Sequence, residues 1–176
     1  MTAENFKQMS PSASLPSTIV VRMYDATDAK MVEGIEKLSI GELTPLAQLT
    51  QYYEIIPECF LVAQVEGKVV GYVVANMDFR TGVREGHILA IAVHPEERRN
   101  GVGRHLLAHV SNILKGRGAS RIHLEVKSYN LDAKEFYLRE GFQEVGIIRG
   151  YYRMRGYRED AIIMVKDLTT ASLGGK

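Results

Sequence analysis

A chain of 176 residues, 45% hydrophobic and 24% charged, has the composition of one soluble globular domain. Its 22 basic and 21 acidic side chains nearly cancel to a net charge of +1, which argues against a dedicated binder of nucleic acid or anionic membrane. A single cysteine, Cys59, excludes an internal disulfide and a cysteine-rich metal site, and points to a reducing, cytoplasmic setting.

No apolar run approaches the ~20 residues that span a bilayer. The opening MTAENFKQMSPSASLPS lacks the basic-then-apolar order of a signal peptide, so residues 1–17 read as a flexible polar arm. The domain is expected over 18–168, with 169–176 a frayed tail. TIVVRM reads as a first strand. DAKMVEGIEKL follows as a helix, with Met31, Val32, Ile35 and Leu38 on its apolar side and Asp28 as a cap. In GELTPLAQLTQYY, Pro45 can open a short second helix. CFLVAQVEGKVVGYVVANM predicts two strands around a tight turn at Glu66–Lys68. After the loop DFRTGVREG, HILAIAV is the next strand.

GVGRHLLAHVSNILKGRG carries Val102, Leu106, Leu107, Val110, Ile113 and Leu114 as one helical stripe, closed by Gly116 and Gly118. RIHLEVK is a strand. NLDAKEFYLREG is a short helix between an Asn130 cap and a Gly141 stop. FQEVGIIR and DAIIMVK finish the chain as strands, with GYYRMRGYRE a polar, aromatic loop between them. Early hairpins and later helical crossovers predict a mixed α/β (α+β) fold, a seven-stranded sheet flanked by about four helices.

The segment EERRNGVGRHLL stands between a strand and a helix. A helix N-terminus presents unpaired N–H groups and partial positive charge, and anions bind there. Gly101 and Gly103 clear side chains from it, and Arg98, Arg99 and Arg104 add charge, so the stretch reads either as a diphosphate cradle or as a loop glycine before a charged surface helix. It matches neither GxxxxGK[ST] nor a dinucleotide fingerprint, which needs a third glycine where Leu106 stands.

Arg98-Arg99-Asn100-Gly101-Val102-Gly103 resembles the Q/R-x-x-G-x-G/A acetyl-CoA motif of the GNAT acetyltransferase superfamily. LEVKSYNLDAKEFYLREGF is similar to that family's second half, and GYY followed by EDAIIM resembles the ends of protein N-terminal acetyltransferases of the RimI and archaeal N-alpha-acetyltransferase A type. The resemblance spans roughly residues 18 to 167 and implies the GNAT fold, acetyl-CoA as cofactor and direct transfer to an amine in a ternary complex.

It also implies roles. Glu125 takes the position of the general base, on the strand face that alternation gives to His123, Glu125 and Lys127; by itself a strand glutamate is as readily solvated or ion-paired. His87 matches a histidine that sits beside that glutamate and holds a water with it. The two could also ligate a metal, but two ligands are too few to argue a site, and none is assigned. Tyr137 matches the donor to the departing thiolate, its plain alternative being a core tyrosine. Asn130 would touch the cofactor as well as cap a helix. Ile91, Ala92 and Val93 would pair their backbone with the pantetheine arm, and Arg98, Arg99, Asn100, Gly101, Val102, Gly103 and Arg104 would hold the diphosphate. Glu42 falls on the glutamate of a substrate loop whose neighbouring residues here depart from the pattern. Tyr151 and Tyr152 match paired tyrosines that grip the first residues of the peptide. Cys59 reads as core.

The expected activity is therefore acetylation of protein N-terminal α-amines, including those of nascent chains or ribosomal proteins, by a monomer or weak homodimer. Lysine side chains or small amines as acceptors, or a silent CoA-binding subunit, are the alternatives.

Overall fold

A computed structural model describes residues 18–39, 54–79, 82–154 and 156–169. Along the chain lie β1 (Ile19–Met23), α1 (Ala29–Ser39), β2 (Phe60–Val65), β3 (Lys68–Asp78), β4 (Glu85–Val93), α2 (Val102–Gly116), β5 (Arg121–Lys127), α3 (Leu131–Arg139), β6 (Gln143–Met154) and β7 (Tyr157–Asp167). The strands form one seven-stranded sheet in the order β1-β2-β3-β4-β5-β7-β6. Every neighbouring pair is antiparallel except β4 and β5, which run parallel. The expected second helix, in 41–53, and Glu42 with it, lie outside the described residues.

The sheet carries a core on each face. On one, α2 lays Val102, Leu106, Leu107, Val110 and Leu114 on Val73, Ala75, Ile122 and Leu124, with Tyr137 of α3 and Phe142 completing the layer. Ile113 is only partly buried at the margin of that stripe. On the other, Val32 and Ile35 of α1 meet Phe60, Val62, Tyr72, Val74 and Ala92. Burial of this continuous apolar surface drives the two layers together.

Three sequence expectations need correction. Met31 and Leu38 are 47% and 60% exposed rather than core. The buried side of α1 is Val32, Ile35 and Glu36, at i, i+3 and i+4, and the two exposed residues sit about 100° around the helix from it. Asp28 does not cap α1. Asp25 caps a 3-10 turn over Ala26–Asp28, and Asp28 closes the capping box by accepting from the Asp25 N–H at 2.9 Å. Its other contacts are two hydrogen bonds from Arg22, at 2.6 and 2.8 Å, and this guanidinium holds the Asp28 carboxyl below the usual range.

The third correction concerns GYYRMRGYRE, which is mostly strand: β6 runs to Met154 and β7 begins at Tyr157. The irregularity that reads as a loop is a bulge. Ile148 faces Ala161 and Tyr152 faces Glu159, leaving Arg149, Gly150 and Tyr151 opposite Asp160. Asp160 pins them, accepting from the Gly150 N–H at 2.8 Å and from Arg149 at 2.6 Å.

Candidate functional site

β4 and β5 pair only through Glu85–Arg121, Gly86–Ile122 and His87–His123. Past that point they part and leave a fork. The register shifts on β4, where Val74 of β3 faces Ala90 while Ala75 faces Ile88, so Leu89 is an extra residue. A bulge bends and twists its strand, and this one lies between the last β4–β5 pair, at His87, and the open segment from Ala90.

At the crotch of the fork, His87 Nε2 lies 2.7 Å from Glu125 Oε2. Both side chains are largely buried, 12% and 14% exposed, so little water competes with the contact. The structure thus brings together two residues 38 apart in sequence that the resemblance pairs. A cleft of about 460 Å3 opens beside them, lined by Asp78, Glu85, His123, Glu125, Val145 and Ile163 among others.

Three of these cleft-side residues carry no role in the sequence reading, which places His123 only on the face of Glu125. His123 stacks on His87 with ring centroids 4.4 Å apart and an interplanar angle of 20°. Its Nε2 is 3.8 Å from Asp78 and its Nδ1 3.3 Å from Glu85. Burial, then the neighbouring His87, lowers the His123 pKa below the ordinary imidazole value. Strand alternation carries the signal for His123 and Glu85, each two residues from a residue already singled out. Asp78 becomes legible only with the β3–β4 register, which sets it opposite Glu85.

The tyrosines approach from the far strands and α3. The Tyr152 hydroxyl donates to the Glu125 carbonyl oxygen at 3.0 Å, and its ring stands edge-on to Tyr151, centroids 4.9 Å apart. Burial chiefly, then Tyr151, Glu125 and Tyr137, raise the Tyr152 pKa above the usual phenol value. Tyr137 is buried edge-on against Phe142, centroids 5.5 Å apart, and that burial likewise holds its phenol protonated.

At the other end of the fork α2 begins. Its N-cap, Gly101, has φ 86°, a conformation a side chain would strain. Gly103 lets α3 come close, since a Cβ there would stand 3.3 Å from Phe136. The first intrahelical bond is from the His105 N–H to the Gly101 carbonyl, so the amides of Val102, Gly103 and Arg104 have no partner among the described residues. Arg99 and Arg104 flank this end. Arg99 stands 3.9 Å from Asp132 with both side chains over 85% exposed, a pair worth little in water. Arg104 is held more firmly, donating to Glu140 at 2.9 Å. Asn100 reaches Glu97 at 3.4 Å. Asn130 caps α3, accepting from the Ala133 N–H at 3.2 Å.

One expected backbone contact is already taken. The Val93 carbonyl accepts from Ser39 Oγ at 3.1 Å and from Arg98 Nε at 3.2 Å, so it is not an open acceptor for a pantetheine arm, and Arg98 is turned back to the end of β4. Cys59 is fully buried in the α2-side core, and desolvation pushes its thiol up to about 11.

The sequence profile of the acetyltransferase (GNAT) family matches residues 29–142. The chain belongs to the GNAT family. This acetyltransferase is 33% identical over 149 residues to an uncharacterized N-acetyltransferase of Methanocaldococcus jannaschii, covering 84% of this chain and 91% of that one. It is 31% identical over 157 residues to an N-alpha-acetyltransferase of Sulfurisphaera tokodaii, covering 84% and 92%. Among solved structures, the ribosomal-protein-S18-alanine N-acetyltransferase of Escherichia coli superimposes with a TM-score of 0.73 at 27% identity, over 90% of this chain and 99% of that one.

Acetyl-CoA is the acetyl donor of the family, and the residues present fit it. Three open amides at a cationic helix start suit a diphosphate, and the parted strands leave a slot for an extended arm. No described helix of this GNAT chain is long and apolar enough to cross a membrane.

Proposed function

We propose that this acetyltransferase, working in the cytoplasm as a monomer or weak homodimer, acetylates the N-terminal α-amino groups of proteins, nascent chains and ribosomal proteins among them. The observation that carries the reading is the His87–Glu125 contact of 2.7 Å at the crotch of the β4–β5 fork. An attacking amine must be neutral. An α-amino group has a pKa of ~8 against ~10.4 for lysine, so a modest base suffices for the former. The names of the Sulfurisphaera and Escherichia coli relatives support the same acceptor.

Acetyl-CoA supplies an activated acetyl group as its thioester. Val102, Gly103 and Arg104 bind the diphosphate through their amides, with Gly101 keeping the approach open and Arg98, Arg99 and Asn100 bordering it. Ile91 and Ala92 align the arm through the β4 backbone, and one N–H of this strand stabilises the developing oxyanion. Asn130 borders the cofactor from the start of α3. His87 and Glu125 hold a water that accepts the proton lost by the amine. Tyr137, kept protonated by burial, hydrogen-bonds the departing thiolate. Tyr151 and Tyr152 hold the first peptide residues, with Glu42 on the acceptor side. The domain that does this spans 18–168.

The test is acetylation of a peptide library with acetyl-CoA, read by mass spectrometry. Each peptide carries one free α-amine and one internal lysine, with α-blocked copies as controls. Product on the α-amine supports the reading. Product only on lysine, or only on added polyamines, overturns it.

A further inference from the structure

The stacked His87 and His123 belong to a larger convergence. Residues directly opposed across a sheet share a face, and the β3–β4 register sets Asn76 opposite His87 and Asp78 opposite Glu85. The β4–β5 register then sets His87 beside His123. One face of three central strands thereby gathers Asp78, Glu85, His87, His123 and Glu125. The arrangement is a consequence of period-two alternation on strands far apart in sequence, and so no local motif marks it.

One donor atom each from Asp78, His87 and His123 lies within 4.8 Å of the others. The side chains are 11%, 12% and 12% exposed, too little for bulk solvent to dominate, and Asp78 and His123 line the cleft. A four-coordinate zinc-class ion has bonds of about 2.0–2.2 Å to nitrogen and oxygen, so its ligand atoms stand roughly 3.3–3.6 Å apart. His123 Nε2 and Asp78 Oδ2, at 3.8 Å, are close to that spacing already.

The surroundings have the outer features of such a centre. Imidazole ligands characteristically give their second nitrogen to a carboxylate, which fixes the ring and raises its basicity. Here Glu125 is 2.7 Å from one nitrogen of His87, and Glu85 is 3.3 Å from Nδ1 of His123. The buried His123 Nδ1 has no aligned hydrogen-bond partner among the described residues. Two nitrogens and one oxygen form a borderline donor set that suits zinc over magnesium or calcium. Three protein donors leave a fourth position for water or another ligand, and Cys59, buried in the opposite layer, takes no part.

We propose that Asp78, His87 and His123 form a binding site for a zinc-class divalent cation in the cleft beside the fork. An ion there engages His87 and competes with its part in proton removal, a consequence that rests on the function proposed above.

The test is titration of the untagged full chain with zinc alone, in competition with a chromophoric chelator, and with cobalt for its tetrahedral visible absorption. Neither acetyl-CoA nor peptide is present, so the binding result stands whether or not the chain acetylates α-amines. The expected result is one equivalent bound per chain, weakened at least tenfold in Asp78→Asn and in His123→Gln, with each variant's fold checked by circular dichroism. A His105→Ala/His109→Ala variant, which removes an exposed i, i+4 pair on α2, binds as the parent does. Failure to saturate at one equivalent, unchanged affinity in Asp78→Asn, or loss of binding in the His105/His109 variant overturns the site. Zinc-saturated protein that transfers acetyl groups at the metal-free rate overturns the ion's placement on His87.

Discussion

The two halves of the β4–β5 fork do opposite work with the same strands. In the closed half, Glu85–His87 against Arg121–His123, the backbone is spent on pairing and the side chains carry the chemistry. In the open half, from Ala90 onward, Ala92 is buried and Ala90, Ile91 and Val93 are half-buried, and the backbone on the β5 side makes no pair with β5. One inserted residue, Leu89, separates them. A sheet can thus hold a base rigidly and still offer a slot for an extended ligand, provided the two tasks lie on opposite sides of a bulge.

Changes in each half should therefore fail differently. Glu125→Gln strikes the crotch, where the closed half ends, and has the largest expected effect. kcat should fall about 10²–10⁴-fold, the usual contribution of a general base, while CoA affinity measured by titration stays at the parent value. Gly101→Glu strikes the cradle at the far end. It places a like charge beside the diphosphate and a side chain at φ 86°, so CoA binding should weaken roughly 10–100-fold, about 1.4 kcal/mol per factor of ten, while kcat at saturation changes little. A kcat loss with unchanged CoA affinity in this variant would break the division of labour.

Tyr152→Phe tests the peptide side of the crotch. It removes the bond to the Glu125 carbonyl, 3.0 Å long. The expected cost is a rise in peptide KM of about fivefold, in keeping with ~1 kcal/mol for one neutral hydrogen bond. Steady-state kinetics with the best library peptide measures it.

Asp28→Asn lies away from the fork and separates stability from chemistry. Arg22 depresses the Asp28 pKa in the folded state. A depressed carboxyl stabilises the fold above its unfolded pKa of ~3.9, and this contribution is lost as pH falls through the lower folded value. The variant should lose about 2 kcal/mol at neutral pH, as for a hydrogen bond to a charged group. Its deficit in urea midpoint should shrink as the pH drops below ~3.9, and KM and kcat should be unaltered.

Much of this was legible in the chain. The stripe of α2, the alternation of β5 and the cap at Asn130 are local patterns, and each survives in the structure. Glu125 and His87 were legible through their flanking motifs. Met31 and Leu38 read as core because they are apolar and stand near the helical stripe, but they lie about 100° around α1 from its buried face. The bulge of β6 reads as a loop because Gly150 and its polar neighbours imitate a turn, while Asp160 on the partner strand ties Arg149 and Gly150 into the sheet. His123, Asp78 and Glu85 form a cluster through register, which depends on pairings between distant strands. That Val93 surrenders its carbonyl to Ser39 and Arg98 is likewise a tertiary fact without a local signature.

The most direct measurement is a crystal structure of the chain bound to a bisubstrate analogue, CoA joined through an acetyl bridge to the α-nitrogen of a short peptide. The account predicts the diphosphate on the amides of Val102, Gly103 and Arg104, the arm along Ile91 and Ala92, and the bridged nitrogen one water away from His87 and Glu125. An analogue seated elsewhere, or in the fork with its peptide nitrogen remote from that pair, would contradict it.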